Sequence, residues 1–430
     1  MALAPKKEKC SRRKSDPGTT HLRSLDKAVV SCDLPWGGTR VVALPSLDLS
    51  QASGPFVGKA VLLDLLSLFQ RKLSSVVEDE PIEKLLNKTL QRGGDPYFDN
   101  VCTTLHGICE VCLPAVLNVL LTWHEKTEET LASLLTQQGL STDQRLKLVK
   151  KSLAVNYLFC LVLIEILPQV EFHASSCDPM IKKILEAAFK HVQYKDPATM
   201  GPNNTNQLVV AEIYSEVIGV LSSTHFLHIH KIFMSYLVEL KKETTMLAYH
   251  QIIALIMAMK FVKIKTNQVE AFEMGIKLLE DLGCFMIETK EKDVKHAVTG
   301  LLVEILLPIA AQIKSEANIP ALITLVQKLY GPTTEMASKK QHKLAAYPLQ
   351  TCLLCVSQRH FFLTNWVPFL NVTLANLKNR DAKISRVALE SLYRLLWVYL
   401  IRNTADGNTA TRSRLESVCG SLFPKGNRGV

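Results

Sequence analysis

The sequence predicts an all-α protein built as a HEAT/armadillo-like helical-repeat solenoid. Apolar residues recur at helical spacing in segment after segment from residue 54 onward. Alternate segments begin near residues 205, 245, 291, 339 and 381, which are 40, 46, 48 and 42 residues apart, close to the period of such repeats. No run of alternating apolar and polar residues bounded by turn residues predicts a sheet. Because one helix pair cannot bury its apolar faces alone, neighbouring pairs must stack.

The first predicted helix covers Phe56–Val77, and Pro81 fits the first turn of a following helix, where its missing N–H is not needed. Glycine and proline then separate the later segments, at Gly201-Pro202, Pro320 and Gly331-Pro332 for example. The predicted helices are 98–124, 127–137, 141–168, 179–193, 205–222, 226–242, 245–262, 268–288, 291–314, 319–336, 339–357, 361–377, 381–402 and 411–422.

Residues 1–53 are predicted to form a disordered basic arm, and residues 54–430 the solenoid. The arm lacks periodicity and contains several prolines and Gly37-Gly38. Its first 15 residues carry six basic side chains against Glu8, a net charge of +5. Such an arm is either a solvated tail or a contact for nucleic acid, anionic lipid or an acidic protein surface.

Composition excludes several classes of protein. Apolar residues make up 47% of the chain and charged residues 21%, which is unlike an intrinsically disordered protein. The 11 cysteines lie mostly in apolar runs, and the N-terminus lacks a secretory signal, so a reducing compartment, cytosol or nucleus, is expected. Leu153–Val170 approaches the length of a membrane span, but Asn156, Glu165 and Pro168 interrupt it. We interpret it as a buried helix, and no membrane span is predicted.

The motifs that could carry chemistry favour structural roles. Cys109-x-x-Cys112 and Cys352-x-x-Cys355 place both sulfurs on one apolar helix face and lack further zinc ligands. His225, His228 and His230 are interpreted as surface histidines at a turn between helices. Gly93-Gly94 does not have the spacing of a phosphate loop and predicts a helix end, followed by Asp95 as N-cap. No catalytic motif is found, so neither an enzyme nor a cofactor nor a metal site is predicted.

Basic residues recur near helix ends, where cations interact favourably with the helix dipole. If several align along one edge of the solenoid, they form a groove for an acidic partner. Aromatic residues do not alternate with them, so binding of nucleic acid is not favoured. The candidate partner-binding residues are Arg92, Asp95, Lys190, Lys195, Lys260, Lys263, Lys265, Arg386, Arg394, Lys425 and Arg428.

Long stretches of the chain are similar to a known family. They are LQRGGDPYFD (90–99), CLP (112–114), FKHVQYK (189–195), GPN (201–203), AEIYSEVIGVL (211–221), IMAMKFVKIK (256–265), EKDVKHAVTGLLVEILLPIAA (291–311), AAYPLQTCLLCVSQ (345–358), RVALESLYRLLWVYLIR (386–402), NTATRSRL (408–415) and LFPKGNRGV (422–430). In these stretches, which together cover roughly 85–430, the chain resembles the N-terminal region of the Furry family of cell-morphogenesis proteins.

The resemblance implies a long HEAT/armadillo-like solenoid that acts as a non-enzymatic scaffold. It implies NDR-type kinases and their MOB co-activators as partners, together with microtubules or the cortical cytoskeleton. It implies roles in polarised growth, cell shape and neuron projection development, and a cytoplasmic location at the cell cortex or on microtubules.

Family members are several times longer than this chain, so it is interpreted as a fragment, a short isoform or a truncated paralogue. A solenoid cut within its array lacks a polar cap. We therefore predict an exposed apolar face on the last helices, 381–422, and a tendency to aggregate or pair. Two further functions stay open: a nucleic-acid or transport adaptor that uses the basic arm, and a regulatory short form that competes with full-length family members.

Overall fold

The computed structural model describes residues 29–33, 39–43, 54–313, 318–403, 413, 416 and 417. The chain divides into two compact units, Met1–Ser50 and Gln51–Val430. Most of the predicted disordered arm, including its basic first 15 residues, lies outside the described residues, as do Lys425 and Arg428.

The first unit contains a feature that the sequence analysis did not predict. Strands β1 (Val29–Asp33) and β2 (Thr39–Ala43) pair antiparallel, with Val29 opposite Ala43 and Asp33 opposite Thr39. Both strands are rich in β-branched residues, which suit a pleated sheet, and Pro35 and Gly37-Gly38 lie between them in the sequence. Ten residues of the predicted arm therefore form a hairpin.

The second unit is helical, which confirms the predicted all-α class. Its α-helices are α1 (Gly54–Glu78), α2 (Leu86–Thr89), α3 (Pro96–Leu135), α4 (Thr142–Ile166), α5 (Ala174–His191), α6 (Pro197–Met200), α7 (Asn204–Lys241), α8 (Met246–Ala258), α9 (Val269–Glu288), α10 (Lys292–Gln312), α11 (Pro320–Ser338), α12 (Lys343–Val356), α13 (Arg359–Leu377) and α14 (Ala382–Asn403). Short 3-10 turns cover Leu167–Phe172 and Gly201–Asn203.

Side-chain caps begin several helices where the sequence predicts them. Asp95 caps α3 by accepting hydrogen bonds from the backbone N–H groups of Tyr97 and Phe98, and Pro96 occupies the first turn. Gly93, just before this cap, has φ +77°, a left-handed conformation that glycine adopts without strain. Ser141 and Gln144 form a reciprocal capping box at the start of α4.

Two predicted helix pairs are single helices with a kink. The break predicted at 124–127 is wrong, because α3 continues through it and bends instead at Cys112 (φ −126°, ψ 28°). Pro114 explains the bend, since proline removes a backbone donor and crowds the preceding turn. Helix α7 bends at His225, where the sequence predicts the turn between 205–222 and 226–242.

The helices stack in a repeating order. Helix α7 packs on α8, α8 on α10, α10 on α12 and α12 on α14, while α9 packs on α11 in a second layer. Helices α7, α8, α10, α12 and α14 begin at residues 204, 246, 292, 343 and 382, each within four residues of the predicted repeat starts. The predicted solenoid of helix pairs is therefore confirmed, and each layer helix covers the one before it.

Polar contacts between successive repeats follow the same period. Lys260 Nζ lies 2.5 Å from Glu212, and Lys328 Nζ lies 3.0 Å from Glu280. The two residues of each pair are 48 positions apart in the sequence. A 2.9 Å contact likewise joins His296 to His342, which lies 46 positions later. Exposed ion pairs contribute little stability. These contacts therefore show how successive repeats are aligned but add little to the stability of the stack.

Helix α4 forms the centre of the core. Within Thr142–Phe172, which joins α4 to the following 3-10 turn, 83% of the most apolar stretch is buried inside the protein. This agrees with the buried helix expected at Leu153–Val170. By length and composition alone, three helical segments among the described residues could cross a membrane. They are Pro96–Leu135, Thr142–Phe172 and Lys292–Gln312.

Candidate protein-interaction surfaces

Four of the predicted partner-binding residues form ion pairs within the chain. Asp95 lies 2.7 Å from Lys72 Nζ, and this hydrogen bond lowers the pKa of the Asp95 carboxyl. Lys265 lies 3.1 Å from Glu171, and Lys260 makes the contact with Glu212 described above. Arg386 pairs with Glu390 at 3.3 Å along one face of α14. Each of these four residues therefore already has an oppositely charged partner within the chain.

Lys190 and Lys195 act electrostatically on one carboxylate, Glu128 of α3. Burial raises the pKa of Glu128, and the positive charges of the two lysines oppose that shift. Partial burial also lowers the pKa of the Lys195 ammonium group. Both lysines belong to the FKHVQYK stretch at the end of α5. Arg92 and Lys263 are exposed and Arg394 is half-buried.

A buried polar network lies beneath these lysines, and the sequence analysis did not find it. Asn156 on α4 is its centre. Its Nδ2 donates to Glu128 at 3.1 Å, and its Oδ1 accepts from Tyr214 at 2.6 Å and from His124 at 3.0 Å. Ser152 adds a 3.0 Å hydrogen bond to Glu128. The signal was available: Asn156 interrupts an otherwise apolar run, and a buried amide needs partners.

His191 closes this network on the side of α5. Its ring stacks on Tyr214 with ring centres 4.6 Å apart, and burial lowers its pKa to about 3. Its Nδ1 is buried without a hydrogen-bond partner. His191 is therefore neutral at physiological pH, and the network fixes α3, α4, α5 and α7 against one another.

A shallow cleft of about 180 Å³ lies next to the same end of α5. Its walls come from three helices: α5, the second half of α7, and α8. The lining residues are Phe189, Val192, Gln193, Tyr236, Leu240, Gln251 and Leu255. The lining is mainly apolar with two amide side chains, which suits an apolar side chain of a bound peptide with its backbone hydrogen-bonded alongside.

Of the paired cysteines, Cys109, Cys352 and Cys355 are buried, and Cys112 is half-buried. Burial raises the pKa of Cys109 and of Cys352 to about 12, so both thiols stay protonated and poor metal ligands. His106, three residues before Cys109, forms hydrogen bonds with the Glu165 carbonyl at 2.6 Å and with the Gln169 amide at 2.8 Å. Among the described residues, no group of three or more His, Cys, Asp or Glu side chains could hold a metal ion.

The predicted histidine cluster is divided between two acidic partners. His225 contacts Asp178 and His230 contacts Asp281, each at 3.2 Å. These contacts tie the two halves of α7 to α5 and to α9, respectively. A structural role at the bend in α7 accounts for both histidines.

Comparison with known proteins decides the family. A profile of the family described as "Cell morphogenesis N-terminal" matches residues 149–430, about two thirds of the chain. The chain belongs to this family. The Furry resemblance of the sequence is thereby confirmed, since this is the N-terminal region of Furry-like cell-morphogenesis proteins. The family region begins within α4 and includes the α5 cleft and every later helix.

Two fungal relatives match the chain. "Cell morphogenesis protein PAG1" of Saccharomyces cerevisiae is 23% identical over 269 residues, 61% of this chain and 11% of the relative. "Cell polarity protein mor2" of Schizosaccharomyces pombe is 23% identical over 314 residues, 72% of this chain and 14% of the relative. The chain therefore spans only about an eighth of the length of these relatives. No solved structure matches at a significant level.

Proposed function

We propose that this chain is a non-enzymatic scaffold in cell morphogenesis and polarised growth, and that it holds an NDR-type kinase together with its MOB co-activator. Its membership of a cell-morphogenesis family supports the biological role. The stacked helices support the scaffold role, since a solenoid offers long surfaces built from neighbouring repeats. The proposal includes a place at the cell cortex or on microtubules, and a role in neuron projection development.

The cleft at the end of α5 is the docking site that we assign to this partnership. Three helices from successive repeats form its walls. A partner that binds there therefore contacts a surface that exists only when the repeats are stacked. Tyr236, about two-fifths exposed, stacks near Phe189 and is the large aromatic residue at the mouth of the cleft. Partly exposed tyrosines in small apolar pockets often supply much of the binding energy of an interface.

The test is direct binding of the purified chain to a purified NDR-type kinase–MOB complex, measured by interferometry. We expect an affinity in the micromolar range or tighter for the wild type. Tyr236→Asp should weaken it by about tenfold or more, because the carboxylate must lose its hydration in an apolar cleft. Tyr97→Asp, at an exposed position of α3, is the matched control, and it should leave the affinity unchanged.

Two results would overturn the proposal. One is the absence of binding at concentrations of tens of micromolar or higher. The other is equal loss of affinity with both tyrosine variants, which would place docking outside the cleft. Circular dichroism and thermal melting of each variant exclude unfolding as the cause.

A further inference from the structure

The charge of this chain is concentrated at one end of the solenoid. Residues 339–402, which contain α12, α13 and α14, carry ten Lys and Arg against two Asp and Glu, a net charge of +8. Residues 54–338 carry 27 basic against 31 acidic residues, a net charge of −4. The helical unit is thus divided into an acidic majority and a strongly basic last section, a division that attracts an acidic partner to that end.

An apolar stripe runs along α14 in this basic section. It consists of Leu389, Tyr393, Trp397 and Leu400, which are 55%, 69%, 53% and 55% exposed. The spacing of four, four and three residues places all of them on one helix face. This confirms, for the described part of 381–422, the exposed apolar face predicted from the sequence. At 1.5 Å per residue, the stripe is about 16 Å long.

The stripe faces away from the rest of the solenoid. Ser391 accepts a 2.8 Å hydrogen bond from Thr351 of α12, so it marks the face of α14 that packs on the preceding layer. Leu389 and Tyr393 are each two positions from Ser391, about 200° around the helix. Each helix of this layer packs on the one before it, as α14 packs on α12. A further helix packed on α14 in the same way would lie against the stripe. The geometry of the repeat therefore favours a helix as the occupant of the stripe.

Charge decides what kind of helix fits. Arg386 extends the stripe by one turn toward the start of α14, and its side chain is 82% exposed. Lys383 is exposed, and Arg394 is half-buried beside Tyr393. The one acidic residue of α14, Glu390, is engaged with Arg386. A second copy of this helix would bring these cations against their own equivalents, which opposes self-association, whereas carboxylates would complement them.

We propose that this surface binds an acidic amphipathic helix of a partner protein. The apolar residues of that helix, three and four positions apart, lie on Tyr393 and Trp397, and its carboxylates face Lys383, Arg386 and Arg394. An amphipathic helix is then recognised through apolar anchors three and four positions apart, with α14 as the docking face. The surface is separate from the α5 cleft, and the proposal does not depend on kinase docking there.

The experiment uses the full chain and two labelled synthetic peptides of roughly five helical turns, followed by fluorescence anisotropy. Both peptides carry leucine at the same i, i+4, i+7 and i+11 positions, and one fills the other positions with glutamate and the other with lysine. We expect micromolar binding of the glutamate peptide and no measurable binding of the lysine peptide. Tyr393→Asp and Arg386→Glu should each weaken the glutamate peptide by about tenfold or more. Tyr97→Asp, at an exposed position of α3, is the matched control and should leave it unchanged.

Three results would overturn this inference. The first is equal binding of both peptides, or binding that is indifferent to Tyr393→Asp. The second is binding to phosphatidylserine vesicles that Tyr393→Asp abolishes while the glutamate peptide stays unbound, which would make the stripe a membrane contact. The third is a dimer in sedimentation equilibrium that Tyr393→Asp dissociates, which would identify a second copy as the occupant. Tyr393→Ser, which introduces no charge, should weaken the peptide in the same direction and so separates loss of the aromatic contact from charge repulsion. Circular dichroism of each variant excludes unfolding as the cause.

Discussion

Tyr214 of α7 donates a 2.6 Å hydrogen bond to Oδ1 of Asn156 on α4, in the interior of the solenoid. Neither side chain is accessible to solvent. The same amide binds Glu128 and His124 of α3, so one residue connects three helices. Such a buried network fixes the mutual position of its helices, because any slip breaks several of its hydrogen bonds at once.

Replacement of Asn156 by alanine should therefore be strongly destabilising. It removes one hydrogen bond each from Tyr214, His124 and Glu128 and leaves polar groups buried, at a cost of about 3 kcal/mol. Urea denaturation followed by circular dichroism measures this change. Asn100→Ala, at an exposed position of α3, is the matched control and should change the stability by less than about 0.5 kcal/mol. Similar values for the two variants would contradict the role given to the network.

Acidification should weaken the fold through His191. Burial lowers the pKa of His191 from 6.5 to about 3, so between these values the unfolded chain binds a proton that the folded chain does not. Stability must then fall as the pH drops below about 6.5, by about 1.4 kcal/mol per pH unit at most from this residue. His124, whose pKa burial also lowers, acts in the same direction.

His191→Phe is the variant that isolates this effect. Phenylalanine keeps a ring against Tyr214 and cannot be protonated, so its stability should fall less steeply between pH 6.5 and pH 4.5 (roughly the window set by the histidine reference value). Urea midpoints at several pH values provide the comparison. Parallel pH profiles for the wild type and the variant would show that His191 is not buried in its neutral form.

A comparison of two glycines tests how tightly the repeats are stacked. A Cβ at Gly219 of α7 would lie 2.5 Å from the Cβ of Phe261 and 2.7 Å from its carbonyl oxygen, so the backbone itself stands in the way. Gly219→Ala should cost about 2 kcal/mol or more. At Gly300 of α10 a Cβ would meet nothing within 4 Å, and alanine there should stabilise the helix by about 0.5–1 kcal/mol. Thermal melts that show the same sign for both substitutions would be inconsistent with this packing.

The sequence predicted the helical class and the start of each layer helix, because apolar periodicity and local caps act within one segment. Asp95 and Pro96 begin α3 where expected, and Gly93 adopts the predicted left-handed conformation. The bend in α3 was misplaced, since the run through residue 124 offers no local signal that it continues to Leu135. The hairpin of β1 (Val29–Asp33) and β2 (Thr39–Ala43) was missed, because both strands are short and are flanked by residues typical of loops.

The contacts of the candidate partner-binding residues could not be predicted from the sequence, for a physical reason. Whether a lysine is free depends on what packs beside it from a repeat almost 50 residues away, as Lys260 and Glu212 show. Lys190 and Lys195 affect the pKa of Glu128 only because α5 packs against α3. The apolar stripe of α14 could be predicted, because Leu389, Tyr393 and Trp397 recur at helical spacing within one segment.

The most direct test of this account is the shape of cells that lack the protein. Cells depleted of the endogenous protein should lose polarised growth, measured as the ratio of cell length to width or as the length of projections. Re-expression of the wild type should restore the ratio, Tyr236→Asp at an equal protein level should not, and Asn100→Ala is the matched surface control. Unchanged shape after complete depletion, in cells that normally express the protein, would contradict a role in morphogenesis.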